Sequence, residues 1–137
     1  MPVLSREALE AWGEALGREL RAPRVVTLSG DLGAGKTTLT QAICRGYGVT
    51  EPVTSPTFAL VHTYAGGATP VHHLDLYRLR DRRDLLQLGW EELVHDEALV
   101  LVEWPERAEE EIPPGALRLT VRHVAGDTSV REVTIDG

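Results

Sequence analysis

Lysine is nearly missing from this sequence. Of 14 basic residues in 137, 13 are arginine, and Lys36 is the one exception. Either an arginine-preferring composition has left one lysine by chance, or position 36 requires a compact ammonium where a planar guanidinium does not fit. Its neighbours decide between these. Cysteine is equally scarce: Cys44 alone cannot close an internal disulfide, which excludes a bridge-stapled scaffold and points to a reducing compartment. Without a second cysteine, and with no ligand spacing among His62, His72, His73, His95 and His123, no zinc site is expected. Positive charge is short as well. Lys plus Arg number 14 against 21 Asp plus Glu, a formal net charge of −7. The chain therefore lacks the field that drives free-standing nucleic-acid binding by counterion release. No apolar run approaches the roughly 18 residues of a membrane helix, and Met1-Pro2-Val3-Leu4-Ser5 has neither the basic nor the apolar region of a signal peptide. A cytoplasmic protein is expected. The length fits a single domain, residues 1–137, large enough to bury a core unaided.

What is present alternates between strand and helix patterns. Ser5 followed by Leu9, Trp12, Leu16 and Leu20 reads as a capped amphipathic helix, ended by the Arg21–Arg24 stretch with Pro23. Val25–Leu28 has the look of a short buried strand. A helix is predicted from about Lys36 to Tyr47, stopping at Gly46 and Gly48. After a loop over Thr50–Pro56, Phe58–Tyr64 and Val71–Leu76 read as two strands, with Ala65-Gly66-Gly67-Ala68 between them suited to a hairpin. Asp81–Leu93 is helical in pattern with a break at Gly89, and Ala98–Val102 is the most uniformly apolar strand. Leu117–Val124 and Val130–Ile135 alternate around Ala125-Gly126-Asp127 as a closing antiparallel hairpin.

The residues around Lys36 answer the question of the retained lysine. Gly30-Asp31-Leu32-Gly33-Ala34-Gly35-Lys36-Thr37 fits G-x-x-x-x-G-K-[ST] without departure, between a predicted strand and a predicted helix. Backbone N–H groups of such a loop and the helix N-terminus cradle phosphate oxygens, and glycines let the backbone approach closely. Lys36 then supplies a point charge between β- and γ-phosphates, Thr37 offers its hydroxyl to Mg²⁺, and Thr38 follows in the first helical turn. Asp31, inside the loop, shapes the turn.

Such a loop needs an acid at the end of a nearby strand, to hold the Mg²⁺ water shell or to orient an attacking water. Two candidates exist. Glu103 ends the cleaner strand, and Asp75 lies in His72-His73-Leu74-Asp75-Leu76-Tyr77-Arg78. A structural cap or salt bridge is the competing role for each. Glu109-Glu110-Glu111 reads as a solvated helix face. Arg78, Arg80, Arg82 and Arg83 form a basic cluster, either solvated and paired to Asp81 and Asp84 or a lid or docking surface. Cys44 is expected to be a small packing residue. Thr54-Ser55-Pro56-Thr57 follows the phosphate-loop helix as γ-phosphate-sensing switches do, although Ser55 and Thr57 would equally serve as turn caps.

Taken in order and spacing, Gly30–Thr38, Ser55-Pro56-Thr57-Phe58, His73-Leu74-Asp75-Leu76-Tyr77-Arg78-Leu79, Leu88-Gly89 and Val102-Glu103-Trp104-Pro105 resemble the bacterial TsaE (YjeE) proteins, from the N-terminal helix to about Pro113. The resemblance implies a small Mg²⁺-dependent ATPase, binding ATP and ADP. It would be required for threonylcarbamoyladenosine modification next to the tRNA anticodon, acting with the TsaB and TsaD proteins and meeting tRNA through that complex. It places the phosphate-binding positions at Leu32 to Thr37 and puts Thr37 and Glu103 at the magnesium site. Asp75 falls near the nucleotide, Ser55 and Thr57 in a switch-like segment, and Trp104 beside the catalytic acid. Arg6 aligns with a position near the adenine and Arg131 with one in the C-terminal hairpin. The expected fold is α/β of the P-loop class, three-layered, with a mostly parallel central sheet extended by antiparallel strands. A small-molecule kinase with Arg78–Arg83 as a phosphate lid, or a nucleotide-gated binding module with incidental hydrolysis, are the alternatives.

If Lys36 is a point charge in a phosphate cradle, Lys36→Ala should abolish nucleotide binding. Lys36→Arg should impair it nearly as badly, since a forked guanidinium does not fit the loop; titration calorimetry with ATP measures both.

Overall fold

Apolar side chains alternate along the central strands, and each face of the sheet they form buries a separate set of residues. In the computed structural model, which describes residues 3–30, 35–54 and 61–136, the strands are β1 (Val3–Ser5), β2 (Arg24–Ser29), β3 (Val61–Tyr64), β4 (Val71–Asp75), β5 (Leu99–Glu103), β6 (Leu117–Val124) and β7 (Asp127–Asp136). They make one sheet in the order β1-β7-β6-β2-β5-β4-β3. Its centre, β6-β2-β5-β4, is parallel, and β7, β1 and β3 extend it antiparallel. This is the mixed α/β arrangement expected, with the nucleotide-binding end predicted at the C-terminal edge of the parallel strands.

The helices are α1 (Arg6–Glu19), α2 (Lys36–Tyr47), α3 (Arg82–Gln87) and α4 (Trp90–Val94). Ser5 caps α1 by accepting from the Ala8 N–H at 3.2 Å. α2 runs through Gly46 and is closed by Gly48 in the left-handed conformation, φ 109°. The helical pattern over Asp81–Leu93 is two short helices, capped by Asp81 and by a left-handed Gly89. Glu109-Glu110-Glu111 is not an α-helical face: Pro105–Glu111 forms 3₁₀ turns kinked at Ala108, where Glu109 pairs with Arg118 and Glu111 with Arg82. Two further boundaries differ from expectation. β7 begins at Asp127 rather than Val130, because the tight turn lets pairing resume at Val124↔Asp127. β1, three residues long and paired only with β7, carries too short a pattern to be seen in sequence. Residues 58–60 of the strand expected over Phe58–Tyr64 lie outside the described residues. Among those described, no helix is long and apolar enough to cross a membrane.

One face of the sheet buries Val26, Leu28, Val71, Leu99 and Leu101 against Leu9 of α1 and Leu39 and Ile43 of α2. Cys44 belongs to this core, and burial pushes its thiol up to about 12, so it packs as an apolar residue. The opposite face buries Val25, Leu74, Val100 and Val102 with Leu85 of α3 and Trp90 of α4.

α1 and α2 cross in close contact because small residues line the crossing. A Cβ on Gly17 would lie 2.2 Å from the Ile43 carbonyl oxygen, and one on Gly46 would lie 2.1 Å from that of Glu14. Arg45 and Glu14 close the same seam with an ion pair at 2.8 Å. Replacing a helical glycine by alanine ordinarily stabilises by roughly 0.5–1 kcal/mol, but overpacking against backbone costs about 1–3 kcal/mol, and here the second effect wins. Gly46→Ala should lower the midpoint of denaturant unfolding. Gly115→Ala, where a Cβ meets nothing within 4 Å, should leave it nearly unchanged.

Candidate active site

The parallel register sets the site. Leu28 of β2 and Asp75 of β4 both pair with Glu103 of β5, so β4 and β5 finish level and β2 runs one residue further, to Ser29. The backbone continues the alignment beyond the strands, with the Trp104 N–H donating to the Leu28 carbonyl and the Leu76 N–H to that of Glu103. Side chains alternate across the sheet, and Val71, Leu99 and Leu101 face the α1–α2 layer. His73, Asp75 and Glu103 share their parity and so lie on the face carrying α2.

Lys36 opens α2 from a left-handed Gly35, φ 105°. Its side chain is 5% exposed, and its Nζ donates to the Gly30 carbonyl at the end of β2. Thr37 is exposed and Thr38 half-buried on the same first turn. Asp31, Leu32, Gly33 and Ala34, the middle of the predicted phosphate loop, lie outside the described residues, as do Ser55 and Thr57. The frame on either side of the loop is described: β2 leads to Gly30, and α2 starts at Lys36, its N-terminus on the side of the loop.

The two candidate acids are held by different devices. Asp75 Oδ1 accepts the Tyr77 backbone N–H at 3.0 Å. Burial raises its pKa above the usual carboxylate value, and the Glu103 charge adds to the rise, against the lowering effects of the Tyr77 N–H, His73 and Lys36. Glu103, 3% exposed, is bound through Oε2 to Nε2 of the fully buried His73 at 2.5 Å. A carboxylate only accepts, so Nε2–H is the donor of this bond. Nδ1 is a buried atom with no hydrogen-bond partner among the described residues. The sequence places this histidine in the His73–Leu79 block but gives it no role.

Trp104 follows Glu103 with φ 59° and ψ 51°, the single non-glycine residue in the left-handed region among those described. Such a conformation is costly for a bulky residue and gathers at functional sites. Here it turns the indole over Lys36, with Nζ 3.3 Å from the ring centroid. The Tyr77 ring packs on the other aromatic contact at 4.8 Å, and the Arg107 guanidinium lies 5.8 Å from Tyr77. A cation against an indole is a favourable electrostatic contact. Tyr77, in the same block, is likewise given no role by the sequence.

Arg6 and Arg131, 125 positions apart in the chain, line one cavity of about 370 Å³ with Leu9, Gly35, Thr38, Thr128 and Ser129. A Cβ on Gly35 would come within 3.3 Å of Leu9 Cδ2, so glycine keeps this floor open. Arg131 donates to the Thr128 and Val130 carbonyls, and Arg6 pairs loosely with Glu10 at 3.4 Å. The arginine cluster is divided: Arg80 is tied to Asp84 and Arg82 to Glu111.

The raised pKa of Asp75 has a consequence for stability. The native state holds its proton more tightly than the unfolded chain, so the ionised carboxylate costs stability once pH exceeds the raised value. That cost disappears as pH falls below the ordinary carboxylate pKa. Asp75→Asn keeps an acceptor for Tyr77 and should melt at a higher temperature than wild type at pH 7, the difference shrinking toward pH 3; thermal scans across that range measure it.

Comparison with known proteins finds one family. The sequence profile described as "Threonylcarbamoyl adenosine biosynthesis protein TsaE" matches residues 3–133. A protein named "tRNA threonylcarbamoyladenosine biosynthesis protein TsaE" from Bacillus subtilis (strain 168) is 43% identical over 110 residues, covering 80% of this chain and 67% of that protein. One of the same name from Treponema pallidum (strain Nichols) is 36% identical over 137 residues, covering 98% of this chain and 99% of its own. Another from Nostoc sp. is 47% identical over 98 residues, a match that spans only 60% of that protein's length. Among solved structures, Bacillus subtilis YdiB superposes with a TM-score of 0.80 at 33% identity, covering 96% of this chain and 80% of that one.

Proposed function

The chain belongs to the TsaE family, and from that membership and its strand-end site we propose that it binds and hydrolyses ATP in the threonylcarbamoyladenosine modification of tRNA. The observation that carries the hydrolytic part is the level placement of Glu103 and Asp75 beside Lys36 at the start of α2. Lys36, now resting on the Gly30 carbonyl, neutralises the terminal phosphates when they enter the cradle. The cavity between Arg6 and Arg131 takes the nucleoside end, adjoining the same helical turn through Gly35 and Thr38.

Mg²⁺ fits the donors present. The Thr37 hydroxyl and the Glu103 carboxylate are hard oxygens, and no cluster of three or more His, Cys, Asp or Glu side chains suited to a closed metal cage occurs among the described residues. An open oxygen site is what an ion that keeps waters and binds substrate phosphates requires. When bound, Mg²⁺ supplies charge neutralisation on the phosphates. Glu103 would orient the attacking water, with Asp75, partly buried and held by the Tyr77 N–H, level with it on the neighbouring strand. The partners in this reading are TsaB and TsaD proteins, with tRNA met through them, in keeping with the net charge of −7. A kinase lid at Arg78–Arg83 is disfavoured because Arg80 and Arg82 are committed to carboxylates.

The test is an ATPase assay of the pure protein, alone and with both partners and tRNA. Turnover should be slow alone and rise with partners. Glu103→Gln should cut turnover about 100-fold while affinity changes little. Thr37→Ala should weaken nucleotide binding in Mg²⁺ but not in EDTA, by calorimetry.

A further inference from the structure

Glu103 and Asp75 end neighbouring strands at the same level, yet only Asp75 is held by backbone, through the Tyr77 N–H. The longer glutamate has more rotamers to lose, and among the described residues its carboxylate has no backbone donor. Its partner among them is His73, reached diagonally across the sheet: His73 pairs in register with Leu101, two residues before Glu103 on the same face. The ring is 0% exposed, with the Tyr64 ring at 6.3 Å and His62 and Leu101 as its register partners. Leucine would satisfy that packing. Instead the fold keeps an imidazole whose Nδ1 finds no partner among the described residues, an arrangement that wants an explanation. Among the described residues the imidazole's hydrogen bond is with Glu103.

We propose that His73 is a positioning residue: its Nε2–H fixes Oε2 of Glu103, so that one rotamer of the carboxylate is kept and Oε1 is the oxygen left for the reaction. The proposal rests on the reading of Glu103 as the hydrolytic carboxylate. Hydrogen-bonded supports of this kind hold reacting groups in geometry and typically cost about 10- to 100-fold when removed. The defect expected is in turnover, since nucleotide binding depends on Lys36 and the loop.

The experiment compares wild type with His73→Leu, which keeps bulk and loses the donor, and His73→Gln, whose carboxamide N–H can reach the same oxygen. Each is also built with Glu103→Gln. ATP turnover, nucleotide affinity in EDTA, and thermal unfolding are measured for all. His73→Leu should lose turnover about tenfold or more with its EDTA affinity kept, His73→Gln should recover much of the loss, and neither should slow Glu103→Gln further. In the nucleotide-free protein, proton NMR should show an exchange-protected, downfield imidazole N–H that is lost in both His73 variants and shifted in Glu103→Gln. Wild-type turnover in His73→Leu, losses that multiply in the double variants, or absence of that resonance from wild type would each overturn the role. Should His73→Leu fail to fold, His73→Gln alone and with Glu103→Gln decides the same question by the same coupling. Unchanged turnover in Glu103→Gln overturns the hydrolytic reading itself; slow Glu103→Gln with fast His73→Leu removes only the positioning role.

Discussion

The parallel register of β2, β5 and β4 is the constraint on which the site depends. Leu28, Glu103 and Asp75 lie level because these strands pair without offset, and the backbone bonds from Trp104 to Leu28 and from Leu76 to Glu103 carry the alignment past the strand ends. A slip of one residue in β5 would send Glu103 to the opposite face, into the core built around Leu85 and Trp90. Leu99, Val100, Leu101 and Val102 are apolar on both faces, so it is the cost of burying the Glu103 charge in that core that opposes the slip. That cost fixes which side of the sheet the carboxylates occupy, and α2 is packed on that same side.

The strand ends gather features that folding alone would not select. Asp75 is desolvated beside a second acid, Trp104 adopts a left-handed backbone, and His73 buries a nitrogen without a partner among the described residues. Each is unfavourable taken singly, and each lies within a residue or two of the level strand ends. The apolar cores buried on both faces of the sheet offset them. Lys36 ties these pieces together. Its ammonium lowers the pKa of Asp75, bonds the Gly30 carbonyl and lies under the Trp104 indole, so one cation relieves several of the local penalties.

The sequence displays the phosphate loop plainly, because that chemistry is local: eight consecutive residues, a strand before and a helix after. The central strands are legible for the same reason, each being a contiguous apolar run bounded by polar or turn residues. The role of His73 was hidden because it depends on a residue 30 positions away, and inside His72-His73-Leu74-Asp75 the histidine reads as ordinary strand. Gly17 and Gly46 were hidden too: a helical glycine looks like a weakness until another helix is seen touching it. The pattern of β1 fails differently, since three residues cannot display a period. Arg6 and Arg131 lie in segments without sharp motifs, and only tertiary structure puts them in one cavity.

The placement of β1 between the solvent edge and β7 has a consequence for the order in which the molecule assembles. Val3–Ser5 is made well before its strand partner, Val130–Glu132. During synthesis the opening segment must wait, unpaired, while the parallel core and the start of α2 become available to form. The frame for phosphate, the end of β2 and the start of α2, is adjacent in sequence, whereas the cavity between Arg6 and Arg131 joins residues 125 positions apart. Long-range pairings of this kind are slow, because the entropy of closure is lost before the contact repays it. A nascent chain would thus possess the frame for phosphate before it possesses a place for the nucleoside, and recognition of a complete nucleotide becomes a property of the finished fold.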